Sequence, residues 1–173
     1  MADLSEKEFL KEIDELNTKL RKQIEANKRN LDTSPQAIRE RRRRVLSGDF
    51  EYFVYTYFPH HMWLEEGQKP SEFQSFFYKR FPLALFSPDP VRDWYTAPRG
   101  EGKSTLLTKL GSIYVAALDL LQNREVCLEL GITKLPAIHI DYMIIFGAEA
   151  KIPAKLIEVA KTELISNPQL ELD

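Results

Sequence analysis

The chain has 173 residues, of which 43% are hydrophobic and 29% charged, enough for one globular domain with a sizeable core. Its formal net charge of −2 excludes a uniformly basic nucleic-acid binder, so a DNA contact needs locally clustered charge or a further part of the molecule. The single cysteine, Cys127, excludes an internal disulfide and points to a reducing compartment, while the N-terminus lacks a signal-peptide core and no apolar run reaches bilayer length.

Residues 3 to 30 are rich in charge and carry a thin apolar set, Phe9, Leu10, Ile13, Leu16, Leu20 and Ile24. Steps of three and four residues predict an amphipathic helix that packs on the body or on a partner. Ser34 followed by Pro35 reads as an N-cap and first helical position, and the next helix runs to about Leu46 before Gly48. It carries Arg39, Arg41, Arg42, Arg43 and Arg44, five arginines in six positions. Two readings are balanced here: a contact to a phosphate backbone, or a solvated face paired in part with the acidic first helix.

Asp49 caps a predicted helix containing Phe50, Tyr52, Phe53, Tyr55, Tyr57 and Phe58, ended by Pro59. So dense an aromatic set reads as core or subunit contact. His60-His61-Met62-Trp63 follows. Adjacent histidines invite a metal, but with no third ligand at a suitable spacing the expected role is ordinary loop packing. Pro70-Ser71-Glu72 opens a helix with Phe73, Phe76, Phe77 and Phe81 at helical spacing, and Gln74 lies within it. Pro82, Pro88 and Pro90 then mark a loop.

Val91-Arg92-Asp93-Trp94-Tyr95-Thr96 is β-rich and leads into Ala97-Pro98-Arg99-Gly100-Glu101-Gly102-Lys103-Ser104-Thr105. This stretch has the form of a phosphate-binding loop, except that Ala97 stands where the usual pattern has its first glycine. Glycines turn consecutive backbone N–H groups toward one point, and the start of a helix adds unpaired amides and a favourable dipole. Lys103 is expected to reach the β- and γ-phosphates of ATP, Ser104 to coordinate Mg²⁺, and Thr105 to support the phosphate end. A long helix is predicted from Lys103 to Leu121, then a short one from Arg124 to Leu130, closed by Gly131. Cys127 in that helix reads as a buried structural thiol. Ile138 to Phe146 reads as a buried parallel strand, and Gly147-Ala148-Glu149-Ala150 as its carboxyl edge. A further helix has Pro153 in its first turn. Strand, helix and strand together predict a right-handed crossover in an open sheet covered on both faces.

The loop resembles the ATP-binding loop of phage terminase large subunits, the ATPases that drive DNA into viral capsids. Loops of that family commonly lack the first glycine and carry an arginine at the place of Arg99. The resemblance extends to Ile140-Asp141-Tyr142-Met143-Ile144-Ile145-Phe146-Gly147, and to Lys161-Thr162-Glu163-Leu164-Ile165-Ser166-Asn167-Pro168-Gln169-Leu170, which is similar to the family's helix closing in Asn-Pro. Tyr55-Thr56-Tyr57-Phe58-Pro59-His60 resembles a segment of Mu-like phage members. The resemblance covers about residues 45 to 173.

The resemblance implies an α/β fold, a P-loop NTPase-type parallel sheet with flanking helices over residues 49–173; the charge and helical spacing of residues 1–48 place an all-helical, charged segment before it. The resemblance also implies an ATPase using ATP and Mg²⁺ to translocate double-stranded DNA into a procapsid in the host cytoplasm. Portal protein and terminase small subunit are the implied partners, with a homo-oligomeric ring on the procapsid and no membrane. In that reading Gly100, Glu101, Gly102, Lys103, Ser104 and Thr105 bind nucleotide, and Gln74 reads the adenine edge or sits on the helix's polar side. Arg99 approaches the γ-phosphate as a charge-stabilising group. An apolar strand ending in Asp-Glu, needed for hydrolysis, is absent: Asp141 precedes its apolar run, Asp119 lies on a helix, and Leu170-Glu171-Leu172-Asp173 has no strand before it. The sequence therefore reads as the N-terminal piece of a longer motor that binds ATP without hydrolysing it alone. The alternatives are another helicase-like ATPase, or a phage assembly adaptor with a vestigial nucleotide site.

Overall fold

The computed structural model describes residues 6–62, 68–121, 124–131, 149, 151–171 and 173. In order these form α1 (Glu6–Ala26), α2 (Pro35–Leu46), α3 (Phe50–Tyr57), α4 (Glu72–Leu85), a π-helix (Ser104–Leu110), α5 (Gly111–Leu121), α6 (Arg124–Glu129), α7 (Lys151–Ser166) and α8 (Pro168–Glu171).

Among the described residues there is no strand and no sheet, which overturns the expected α/β fold with a parallel P-loop NTPase-type sheet. The first predicted strand, Val91 to Thr96, has no ladder partner among the described residues. Its β-rich composition expresses itself only against a neighbouring strand, and here Trp94 is 95% exposed. The segment is tied instead to α4, through a bidentate Arg80–Asp93 pair and an edge contact of Tyr95 on Phe77. The second predicted strand, Ile138 to Phe146, lies outside the described residues.

The helices begin where local chemistry starts them. Ser34 accepts from the Ala37 N–H with Pro35 next, and Asp49 accepts from the Tyr52 N–H. Ser71 and Gln74 form a reciprocal capping box at the start of α4. The long helix expected from Lys103 to Leu121 is continuous but begins as a π-helix, closed by the Gly111 N–H donating to the Leu106 carbonyl. Space there is tight: a Cβ at 111 would sit 3.1 Å from that oxygen and 3.2 Å from the Phe81 ring, so a larger residue needs its neighbours to give by a few tenths of an ångström.

The core is mainly aromatic. Phe50 touches Phe81 and Tyr114 at ring-centroid distances of 5.0 Å, and Phe53 meets Tyr114 at 4.9 Å. The Tyr114 hydroxyl donates to the Val45 carbonyl at 2.7 Å, so its polar end is satisfied inside. Leu106, Leu110, Ile113 and Leu118 complete the same cluster. The thin stripe of α1 packs on α7, with Leu20 and Ile24 against Val159. Lys155 pairs with Glu12 across this contact, and Thr162 donates to Asn17 at 2.9 Å.

Candidate functional site

The phosphate-loop residues form a left-handed turn running into a helix. Gly100 has φ +93° and Gly102 φ +75°, and no described residue other than glycine has positive φ. These two positions therefore need glycine. The Leu106 N–H donates to the Gly102 carbonyl at 2.8 Å, so helical bonding starts directly after the second glycine. Leu106 and Leu110 are fully buried and fix the helix to the core, leaving Ser104 exposed and Thr105 half-buried at its start.

Lys103 curls back into its own loop. Its ammonium donates to the Ala97 carbonyl and, at 2.7 Å, to the Pro98 carbonyl. A phosphate at this site has to draw the lysine off two neutral acceptors, which its charge favours. Arg99 is exposed and forms no ion pair with Glu101 or any other described residue.

Gln74, in the first turn of α4, comes against the loop. Its Nε2 lies 4.0 Å from where a Cβ on Gly102 would stand, beside the Met62 thioether at 3.7 Å. Its Oε1 accepts from the Ser71 N–H at 3.0 Å. The capping box thus orients the amide and leaves the Nε2 donor toward the loop. Ser71→Ala removes one bond of this box. Its expected cost is roughly 1 kcal/mol of stability by chemical denaturation.

No family model, no characterised protein and no solved structure matches the chain. What the site does must be argued from its own residues.

The arginine cluster is largely spent inside the molecule. Arg41 makes a bidentate pair with Asp173 at 2.6 and 2.7 Å and donates to the Asp32 carbonyl. Arg43 pairs with Glu40, and Arg44 pairs with Asp49 while stacking 3.7 Å over Tyr52. Arg39 bonds back to the Pro35 carbonyl. Their partners are not on α1, and the balance moves from a phosphate-backbone contact toward structural pairing. Asp173 is likewise held by Arg41 and the Tyr57 hydroxyl. Cys127 is buried, in keeping with a structural thiol.

A second centre was missed at the sequence level. His60 and His61 both bring Nε2 to Oε1 of Glu163, at 2.6 and 2.8 Å, and Glu163 is fully buried. Its other oxygen accepts from Asn167 Nδ2 at 3.2 Å, and the same amide group donates to the Tyr57 carbonyl at 2.8 Å. Burial alone would raise the Glu163 carboxyl, but hydrogen bonds from the two histidines hold it at about 2. Burial pushes His61 below its usual value, against the pull of Glu163. Glu163 and Asn167 lie one helical turn apart in the segment that resembles the Asn-Pro helix end. That spacing was the only available signal, because more than one hundred residues separate Glu163 from the histidines.

Proposed function

We propose that the chain is the ATP-binding part of a DNA-packaging motor of the terminase large-subunit kind, with residues 97–105 as its phosphate loop. The observation that carries this reading is the pair of left-handed glycines, Gly100 and Gly102, turning directly into a core-anchored helix behind Lys103. The loop amides and the Lys103 ammonium bind the phosphates, Ser104 at the exposed helix start holds Mg²⁺, and Thr105 supports the phosphate end. Arg99, exposed and without an ion-pair partner among the described residues, supplies charge toward the γ-phosphate. Gln74 offers its Nε2 to the adenine edge. A single donor reads less of the base than a full amide pair, so discrimination between ATP and GTP is modest.

In the complete motor, ATP hydrolysis drives double-stranded DNA into a procapsid in the host cytoplasm, with portal protein, the terminase small subunit and neighbouring copies in a ring as partners. No apolar strand ending in Asp-Glu is legible in the sequence, so this reading assigns no residues to water activation or to Mg²⁺ support beyond Ser104. Among the described residues no helix is long and apolar enough to cross a membrane.

The test is titration of the chain with Mg²⁺-ATP, with Lys103→Ala run beside it. Charge-assisted bonds are worth about 1.5–3 kcal/mol each, so the substitution weakens affinity by roughly ten- to a hundredfold. One observation favours a second reading. The Lys103 ammonium is already satisfied by its own loop, as in a vestigial site on an assembly adaptor. Absence of nucleotide binding by the unmutated chain selects that reading, and Lys103→Ala then leaves partner docking intact.

A further inference from the structure

We propose that His60, His61 and Glu163 form a binding site for one divalent transition-metal ion of the zinc type, separate from the phosphate loop. The donor set is two imidazole nitrogens and one carboxylate oxygen, which suits Zn²⁺ and its d-block neighbours. It does not suit Mg²⁺ or Ca²⁺, which take oxygen ligands. This ion is therefore chemically distinct from the Mg²⁺ expected at Ser104.

Geometry supplies the convergence that the sequence did not. Both Nε2 atoms point at the same Oε1, and the donor atoms of all three residues lie within 4.8 Å of one another. Metal–ligand bonds of about 2.0–2.2 Å in a tetrahedral arrangement place donors roughly 3.3 Å apart. The present separations of 2.6 and 2.8 Å need to open by about 0.5–0.7 Å, within the reach of a small rotation of one carboxylate.

The surroundings are arranged as outer partners of a metal site. Asn167 holds Oε2 of Glu163 and is itself pinned to the Tyr57 carbonyl, which leaves Oε1 to face the imidazoles. The Phe58 ring lies 6.2 Å from His60 and 6.5 Å from His61, an apolar wall on one side. Glu163 is fully buried, and among the described residues no lysine or arginine forms an ion pair with it. Among the described residues the carboxylate is held by imidazole and amide hydrogen bonds, and a dication would oppose its charge directly. Three protein donors leave one coordination position for water.

The site joins the exit of α3 to α7, and Met62, next after His61, packs on Gly102. A bound ion thus fixes one flank of the phosphate loop without touching it.

The experiment uses the untagged full chain, stripped with chelator, and Zn²⁺ alone as the probe. Calorimetric titration in the presence of a competing chelator reads stoichiometry and affinity, and Co²⁺ substitution reads coordination from its visible spectrum. One equivalent is expected, with Co²⁺ bands typical of four-coordinate nitrogen and oxygen ligation. His61→Gln and Glu163→Gln should each abolish the site, and Asn167→Ser should weaken it by about 10–100-fold. Failure of the unmutated chain to bind Zn²⁺ in competition overturns the proposal without reliance on any variant. So does binding that persists unchanged in His61→Gln.

Discussion

Replacing Glu163 with alanine lowers the unfolding free energy of the chelator-treated chain by about 3–5 kcal/mol, the usual cost of breaking a buried charged network by removing one member. The loss reads as a lower urea midpoint at unchanged m-value. Without the carboxylate, His60 and His61 face each other at a ring-centroid distance of 4.5 Å with no common acceptor. Asn167 loses one of its partners at the point where α7 meets α8. Acid titration reports on the same group. The carboxyl sits at about 2 in the fold, against 4.5 for an unperturbed glutamate. The ionised form therefore stabilises the chain fully above pH 4.5, and this contribution, about 3 kcal/mol, is lost as pH falls toward 2. His61, depressed by burial, adds to the same trend from a higher pH. Its unfolded form takes up a proton near its ordinary value of 6.5 before the folded form does, so stability already declines below that pH. The unmutated chain is expected to lose stability steadily on acidification, and Glu163→Ala to flatten the most acidic part of the curve. Equal slopes in both proteins below pH 4.5 would remove Glu163 from this role.

Local signals were legible in the sequence wherever one residue's chemistry decided the outcome. Ser34, Asp49 and Ser71 mark helix starts because a side-chain oxygen facing an unpaired amide acts within four residues. Gly100 and Gly102 announce a turn because only glycine takes that backbone without strain. The β-rich stretch before the loop misled because strand formation depends on a partner that composition does not supply. In its place Asp93 and Tyr95 dock on α4. The π-helix was hidden because no local pattern in Ser104–Leu110 distinguishes it from an α-helix, and the close approach of Phe81 to Gly111 is a tertiary contact. The histidine pair looked incomplete because its third member lies in α7, and no local pattern encodes that meeting. The arginine cluster was ambiguous for the same reason. Helical spacing shows that five arginines share a short segment, but not that Asp173 and Asp49 wait for two of them.

Arg41→Ala is expected to cost about 3–5 kcal/mol, well above the loss for its neighbours Arg43 or Arg44. The difference comes from burial. The Arg41 and Asp173 side chains are each 7% exposed, whereas the Arg43–Glu40 pair is more than half exposed and worth at most about 1 kcal/mol. Truncating Arg41 strands a buried carboxylate whose only other side-chain partner among the described residues is the Tyr57 hydroxyl, a group pushed far from ionisation by burial and by that same carboxylate. It also strips the Asp32 carbonyl of its donor, loosening the turn that leads into Ser34. Arg41→Lys keeps the charge but not the two-pronged geometry, so it should recover only part of the loss. The double change Arg41→Met with Asp173→Leu removes both charges and fills the space with apolar groups, and should be closer to the unmutated chain than either single change. That ordering separates a structural arginine from one held for DNA. A residue kept for a phosphate contact would leave folding unchanged when truncated and weaken only polyanion binding. If Arg41→Ala costs less than about 1 kcal/mol, the pair is not the tie between α2 and the chain's last residue, and the arginine cluster is again free to act as a phosphate contact.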